Sequence, residues 1–302
     1  MSMNTFNLPA ATQIGHAHLQ VADLDHAIKF YQELVGFKQI SRDNETAMLS
    51  ASGKFPAHII LSARADAKPK PPHTTGLFHI AIRLPNRREL ARVFRRLIEH
   101  GWPFQGFADH LVSEALYLAD PGGNGVELYT DRPREQWRWR NGAVEMATDP
   151  LDVDDLLRES ENDPTPWNGV HPQTDIGHVH LHVSDLPKAE AFYHGMLGFD
   201  ITQRSYPGAL FISAGGYHHH LGLNIWAGIG APPPPPEAVG LLSFSINIPD
   251  GRTLDILTQR LQSAGFFVEN KNDLINQPML VTRDQDGNRV ELVVVAEEIP
   301  KP

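Results

Sequence analysis

Residues 14–37 read IGHAHLQVADLDHAIKFYQELVGF, and residues 176–199 read IGHVHLHVSDLPKAEAFYHGMLGF, 162 positions later. A repeat of this length marks a duplicated supersecondary unit, so the pattern inside the unit decides the fold. In the first copy His16, His18 and Gln20 alternate with Ala17, Leu19 and Val21, the period of a half-buried strand. The apolar set should face a helix layer and the polar set the other side. Asp23 or Asp25 is placed to cap a helix whose apolar face is Ala27, Phe30, Tyr31 and Leu34, and Gly36 ends it. Short strands over 46–51 and 58–63 complete a β-α-β-β-β unit.

A second kind of unit follows each of the first. GLFHIAIRLPNRRELARVFRRLIEHGW starts at Gly76 and GLLSFSINIPDGRTLDILTQRLQSAGF at Gly240, an offset of 164. DPGGNGVELY and DQDGNRVELVV keep that offset and place Glu127 against Glu291. Pro-rich joints, KPKPPHTTG and APPPPPEAVG, separate the two units of each half and resist incorporation into a sheet. The expected fold class is α+β: four βαβββ modules in two tandem domains, with cupped mixed sheets and the helices outside. The first domain should cover 12–132 and the second 174–297. The acidic, Trp- and Pro-rich stretch 133–173 reads as a connector with a short helix near 153–161.

Composition narrows the function classes. The net charge is −10, which excludes a basic nucleic-acid footprint. With no cysteine there is no disulfide, thiolate metal site or cysteine nucleophile. The first residues, MSMNTFNLPAATQ, have neither a basic n-region nor an apolar core of a secretion signal, and no apolar run suggests a membrane span. A cytoplasmic protein without membrane or nucleic-acid partners is expected. Histidine stands out, with 16 in the chain and several at matching places in the repeat.

The sharpest chemical signal is in the second module. His79 lies on an alternating strand with Phe78, Ile80 and Ile82 expected on the opposite face, and Glu127 lies on that module's last strand between Val126 and Leu128. Both polar groups should therefore point into the cup. His16 and His178 hold the corresponding place on the first strands of modules one and three. Either one, with His79 and Glu127, makes a two-histidine, one-carboxylate set that leaves open positions on a divalent iron.

The chain resembles the vicinal oxygen chelate superfamily, which holds glyoxalase I, fosfomycin-resistance proteins and extradiol ring-cleaving dioxygenases. His110-LVSEAL-Tyr117-LADPGGNGV-Glu127 is similar to the extradiol dioxygenase signature, departing from it only at Ala108. The four-module order, with GGYHHHLGLNIWAG in the third module, most resembles two-domain bacterial catechol 2,3-dioxygenases over residues 12–295. The resemblance implies an iron(II) enzyme, with manganese(II) as the alternative metal, acting on a catecholic aromatic and dioxygen. It implies His79 and Glu127 as metal ligands, and His110 and Tyr117 as hydrogen-bond donors to the reacting oxygens. An acid–base histidine is implied on the strand that His58 or His220 would occupy, and His220 is the expected one. A homodimer is also in keeping with the superfamily.

The third ligand is left open. Pairing of modules within each half would bring His16 to the site, and pairing of modules two and three would bring His178. The cluster His218–His220 with Trp226 nearby favours His178. The other cup would keep one histidine with Ser243 and Glu291, and serine in place of a ligand predicts a weak or empty metal site there. His18, His180 and His182 read as cleft lining, Trp137 and Trp139 as connector packing. Two other functions share the cup: a glyoxalase-like lyase or isomerase using nickel or zinc, and a non-catalytic protein that sequesters or senses an aromatic molecule.

Overall fold

The computed structural model describes residues 6–161 and 163–295, so the expected end of the second domain at 297 and the first five residues of the chain lie outside the described residues. Module one comprises β1 (Gln13–Val21), α1 (Leu24–Lys29), β2 (Lys38–Arg42), β3 (Thr46–Ser50) and β4 (Ile59–Ala63). Module two comprises β5 (Gly76–Arg83), α2 (Arg87–Glu99), β6 (Phe104–Asp109), β7 (Ser113–Ala119) and β8 (Gly125–Asp131). The connector holds a small ribbon, β9 (Trp139–Arg140) and β10 (Ala143–Val144), and one helix, α3 (Val153–Arg158). Module three comprises β11 (Asp175–His182), α4 (Leu186–Glu190), β12 (Asp200–Gln203), β13 (Ala209–Ser213) and β14 (Leu221–Asn224). Module four comprises β15 (Gly240–Ile248), α5 (Gly251–Ser263), β16 (Glu269–Asn272), β17 (Pro278–Arg283) and β18 (Arg289–Val294). The chain is thus the expected α+β array of βαβββ modules.

The first helix of each module starts where the sequence provides a cap. Asp23 accepts from the His26 amide, Asn86 from Glu89, Asp185 from Lys188 and Asp250 from Thr253, each satisfying an amide that has no partner within the helix. Of the two candidates in module one, Asp23 is the cap. α1 and α4 each continue into a π-helical turn, Phe30–Val35 and Ala191–Met196. The first of these ends at Gly36, whose φ of 104° is left-handed. Ala17, Leu19 and Val21 are buried against the helices as their alternation requires. No helix among the described residues is long and apolar enough to cross a membrane.

The sheets do not follow the sequence halves. One eight-stranded sheet has the order β16-β17-β18-β15-β1-β4-β3-β2 and joins modules four and one. The other has the order β12-β13-β14-β11-β5-β8-β7-β6 and joins modules three and two. The seams are antiparallel pairings of β1 with β15 and of β5 with β11. One cup therefore takes its first-strand histidine from module three and the other from module one.

Modules of the same half are tied in a different way. Tyr31, on the helical turn of module one, donates to Asp120 Oδ2 of module two at 3.2 Å, and Tyr193 donates to Asp284 Oδ2 at 2.9 Å in the second half. Asp120 also accepts from the amides of Gly122 and Asn124 and from the Asn124 side chain. All these groups are buried or nearly so, and a buried donor left without an acceptor costs about 1–3 kcal/mol. Asp120→Ala should therefore lower the unfolding free energy by at least ~2 kcal/mol and Tyr31→Phe by about 1 kcal/mol, read from urea denaturation midpoints. An unchanged midpoint for Asp120→Ala would remove this tie from the account of the fold.

Candidate metal centre and cleft

His79 comes from β5, Glu127 from its parallel neighbour β8, and His178 from its antiparallel neighbour β11. Ala81 is the register partner of both Glu127 and His178, so a small side chain stands where the three longer ones converge. Gly125, the partner of His79, has no room for a side chain, since a Cβ there would lie 2.1 Å from the Phe78 carbonyl oxygen. The His79 and His178 Nε2 atoms lie 3.0 and 3.1 Å from the same Glu127 oxygen, and 3.4 Å from each other. All three residues are buried.

This triangle suits a cation. Donors about 2.1 Å from an ion and at right angles to each other stand about 3.0 Å apart, and tetrahedral donors about 3.4 Å. Without a cation, each imidazole can meet the shared carboxylate oxygen only by carrying its proton on Nε2, and a metal ion would take the place of those protons. The protonation states also fit. Burial works against its charge, yet the His178 and His79 imidazoles hold the Glu127 carboxyl well below the usual carboxylate range. Burial pushes His178 down to about 4, against the pull of Glu127. At neutral pH the carboxylate is ionised and His178 is neutral, the forms that bind metal. His178 Nδ1 is buried with no hydrogen-bond partner among the described residues, so Nε2 is the ring nitrogen committed to the cluster. His16, the other sequence candidate, lies in the opposite sheet against Glu291, 3.2 Å away.

Next to the triangle, His110 Nδ1 lies 2.6 Å from the Ala147 carbonyl and Nε2 lies 2.7 Å from the Tyr117 hydroxyl. A carbonyl only accepts, so Nδ1 carries a proton and Nε2 is the nitrogen turned to the Tyr117 hydroxyl. Burial and the Glu127 charge push Tyr117 well above its usual value, so it stays a donor. A second chain of contacts reaches the cleft from behind. His218 Nε2 lies 2.8 Å from Asp131 Oδ1, and His218 Nδ1 lies 2.7 Å from His219 Nδ1. The carboxylate fixes a proton on His218 Nε2, and one hydrogen bond joins the two Nδ1 atoms, so Asp131, His218 and His219 form a chain. The His219 ring lies 4.1 Å from that of His178, tilted by 47°.

Two sequence expectations need correction. His220 is not on the cleft wall: its Nδ1 accepts from the Ala214 amide, and its ring lies 4.9 Å from that of Tyr217. His219 is on the wall instead. β14 begins only at Leu221, so strand alternation cannot be extended back through the His218–His220 loop. Phe78, expected on the opposite face from His79, also lines the cleft and is 38 % exposed. The β5–β11 register slips between His180 and Leu181, and such a bulge turns one extra side chain toward the cup.

The cleft is a cavity of about 250 Å³. Phe78, Tyr206, Phe211 and Trp226 form its aromatic walls, and Met146 and Thr148 of the connector close one side. His180 lines it too and meets the Asn224 amide at 3.0 Å, while His182 meets the Asn224 carbonyl at 2.6 Å. Sequence reasoning missed the connector's part, because nothing in residues 143–149 repeats and the contact is between distant segments. Trp137 packs in the connector as expected, against Tyr217 and His218.

Comparison with known proteins agrees with this architecture. The family model of the Glyoxalase/Bleomycin resistance protein/Dioxygenase superfamily matches residues 13–128 and 175–292. The catechol-2,3-dioxygenase of Bacillus subtilis (strain 168) is 46 % identical over 262 residues, covering 85 % of this chain and 90 % of that protein. Biphenyl-2,3-diol 1,2-dioxygenase 3 of Rhodococcus globerulus is 25 % identical over 143 residues, 46 % of this chain and 75 % of that one. The crystal structure of glyoxalase I from Zea mays superposes with a TM-score of 0.56 at 18 % identity, over 94 % of this chain and 92 % of that one, a likeness of fold.

Proposed function

The chain belongs to the Glyoxalase/Bleomycin resistance protein/Dioxygenase superfamily, and within it we propose an extradiol ring-cleaving dioxygenase that inserts dioxygen into a catechol. The observation that carries the proposal is the convergence of His79, Glu127 and His178 beside the His110–Tyr117 pair in one aromatic-walled cavity. The 46 % identity to a catechol-2,3-dioxygenase supports the same reading. Iron(II), with manganese(II) as the alternative, would be held by those three residues and would supply the electronic link between catecholate and dioxygen.

The remaining chemistry falls to the side chains. His110, with Nδ1 fixed on the Ala147 carbonyl, and the Tyr117 hydroxyl that meets its Nε2 form one hydrogen-bonded pair; a catechol oxygen entering between them would free Nε2 to take the catechol proton and Tyr117 to donate to the substrate oxygen. His219, backed by His218 and Asp131, places a second imidazole in the cleft, and burial and the neighbouring histidines keep it neutral. Phe78, Phe211 and Trp226 pack the ring and exclude water.

Protein loaded with iron(II) under anaerobic conditions and given catechol should consume oxygen and form a yellow ring-fission product. His110→Ala and Tyr117→Phe should keep stoichiometric metal and lose about 10²-fold in kcat, the usual scale for a positioned acid or base. Full metal loading without oxygen uptake from any catechol would overturn the proposal.

A further inference from the structure

The cup built by modules one and four encloses a cavity of about 580 Å³, against about 250 Å³ for the metal cleft. Its chemistry differs position by position. The offset of 164 carries His79 onto Ser243, His110 onto Leu274, Tyr117 onto Val281 and Gly125 onto Arg289, while Glu127 falls on Glu291. The offset of 162 relates His178 to His16. One imidazole and one carboxylate thus remain, the acid–base pair is replaced by apolar side chains, and a guanidinium stands where the other cup tolerates only glycine.

That guanidinium changes what the cup can hold. Arg289 Nε lies 2.9 Å from Glu291 Oε1, and His16 Nε2 lies 3.2 Å from Oε2, so both carboxylate oxygens are engaged. His16 Nδ1 is taken by Ser245 at 3.0 Å. Two donors and a fixed cation leave no place for a divalent ion. Arg289 lines the cavity, and its two terminal nitrogens make no hydrogen bond to another described residue. Lys271 lines it as well. Of the other acidic groups at the wall, Asp175 is held by Arg83, and Asp273 accepts from the Ile275 and Gln277 amides.

The rest of the lining is mixed, with His18, Thr46, Ser62 and Asn247 among its polar groups beside a set of apolar side chains. Met48, Ile60, Met279 and Val293 form the walls, and Phe55, Leu274 and Ile275 stand at the mouth 47 %, 68 % and 40 % exposed. Exposed large apolar side chains rimming a concave pocket mark a ligand site. A guanidinium offers donors only, in a fork that matches a carboxylate.

We propose that the second cup binds a small aromatic carboxylate, with the carboxylate on the terminal nitrogens of Arg289 and the ring between Met48, Ile60 and Met279 under Phe55 and Leu274. Binding here is independent of the ring-cleavage reading of the first cup.

Leu274→Trp places a fluorescent reporter on the exposed rim, and the metal-loaded full chain carrying it is titrated with benzoate and with its neutral isostere benzamide. Benzoate should quench the reporter saturably and bind at least about tenfold more tightly than benzamide, the scale of a charge-assisted pair. Adding Arg289→Met should erase that difference, and Arg289→Lys should restore part of it. The comparison of the two ligands on the Leu274→Trp protein stands even if Arg289→Met fails to fold. Equal affinities, a preference unchanged in Arg289→Met, or no saturable signal would overturn the proposal. Oxygen uptake on the same samples reads the first cup separately.

Discussion

Glu127→Ala should yield a folded protein that no longer retains stoichiometric metal and whose catechol-dependent oxygen uptake falls by about 10³-fold or more. The carboxylate is the element shared by the whole site, with one oxygen 3.0 and 3.1 Å from the two imidazoles. Its loss leaves two neutral nitrogens with no charge to hold a cation in a buried place. The variant should still fold, since β5, β8 and β11 are held together by their backbone pairing. The gain in melting temperature on adding metal should vanish, a gain worth about 2.7 kcal/mol for the parent at a hundred times the Kd. His178→Ala should behave in the same way, whereas His16→Ala should keep both metal and activity. Metal content by elemental analysis, with melts with and without added metal, checks this. Full metal and activity in His178→Ala, or their loss in His16→Ala, would refute the assignment of the third ligand.

The second large effect is on stability in acid. Burial lowers His178 and His18 to about 4 and His220 to about 3, and it pushes His58, His180 and His219 down as well. A histidine depressed in the folded state contributes its full stability above the unfolded pKa of about 6.5. That contribution is lost as pH falls toward the folded value, because only the unfolded chain takes up the proton. Glu291, brought down to about 2 by His16 and Arg289 against the effect of its burial, adds a loss of the same sign below about 4.5. Asp284, raised by burial to about 6, and Asp120, raised by burial too, act in the opposite sense. The histidines outnumber them, and those held near 3 or 4 are each worth on the order of a few kcal/mol. The metal-free protein should therefore lose stability steeply between pH 6.5 and 4, with several protons taken up on unfolding. Urea midpoints across that range check the slope, and a flat profile would contradict the buried neutral histidines.

Much of the site was legible because strand alternation is local. His79 and Glu127 each sit between apolar neighbours on short strands, and that alone aims both side chains into a cup. The same rule failed at Phe78, where a register slip adds a residue, and at His220, which precedes its strand. Neither failure has a mark in the sequence, since a bulge depends on the partner strand and a loop has no period to extend. Met146 and Thr148 were missed for a related reason: they reach the cleft from a connector that has no counterpart in the repeat.

Periodicity and capping are decided by residues within a few positions of one another, so the four modules, the cap region of the first helix and two of the three converging side chains could be read along the chain. Which modules share a sheet, and so which histidine stands beside His79 and Glu127, depends on pairing between distant strands. All four modules open with similar first strands, and joining β1 to β15 and β5 to β11 pairs backbone groups that every such edge offers. The choice rests on contacts between residues far apart in the chain, the Tyr31–Asp120 and Tyr193–Asp284 ties, 89 and 91 positions apart, and the side chains packed along the two seams.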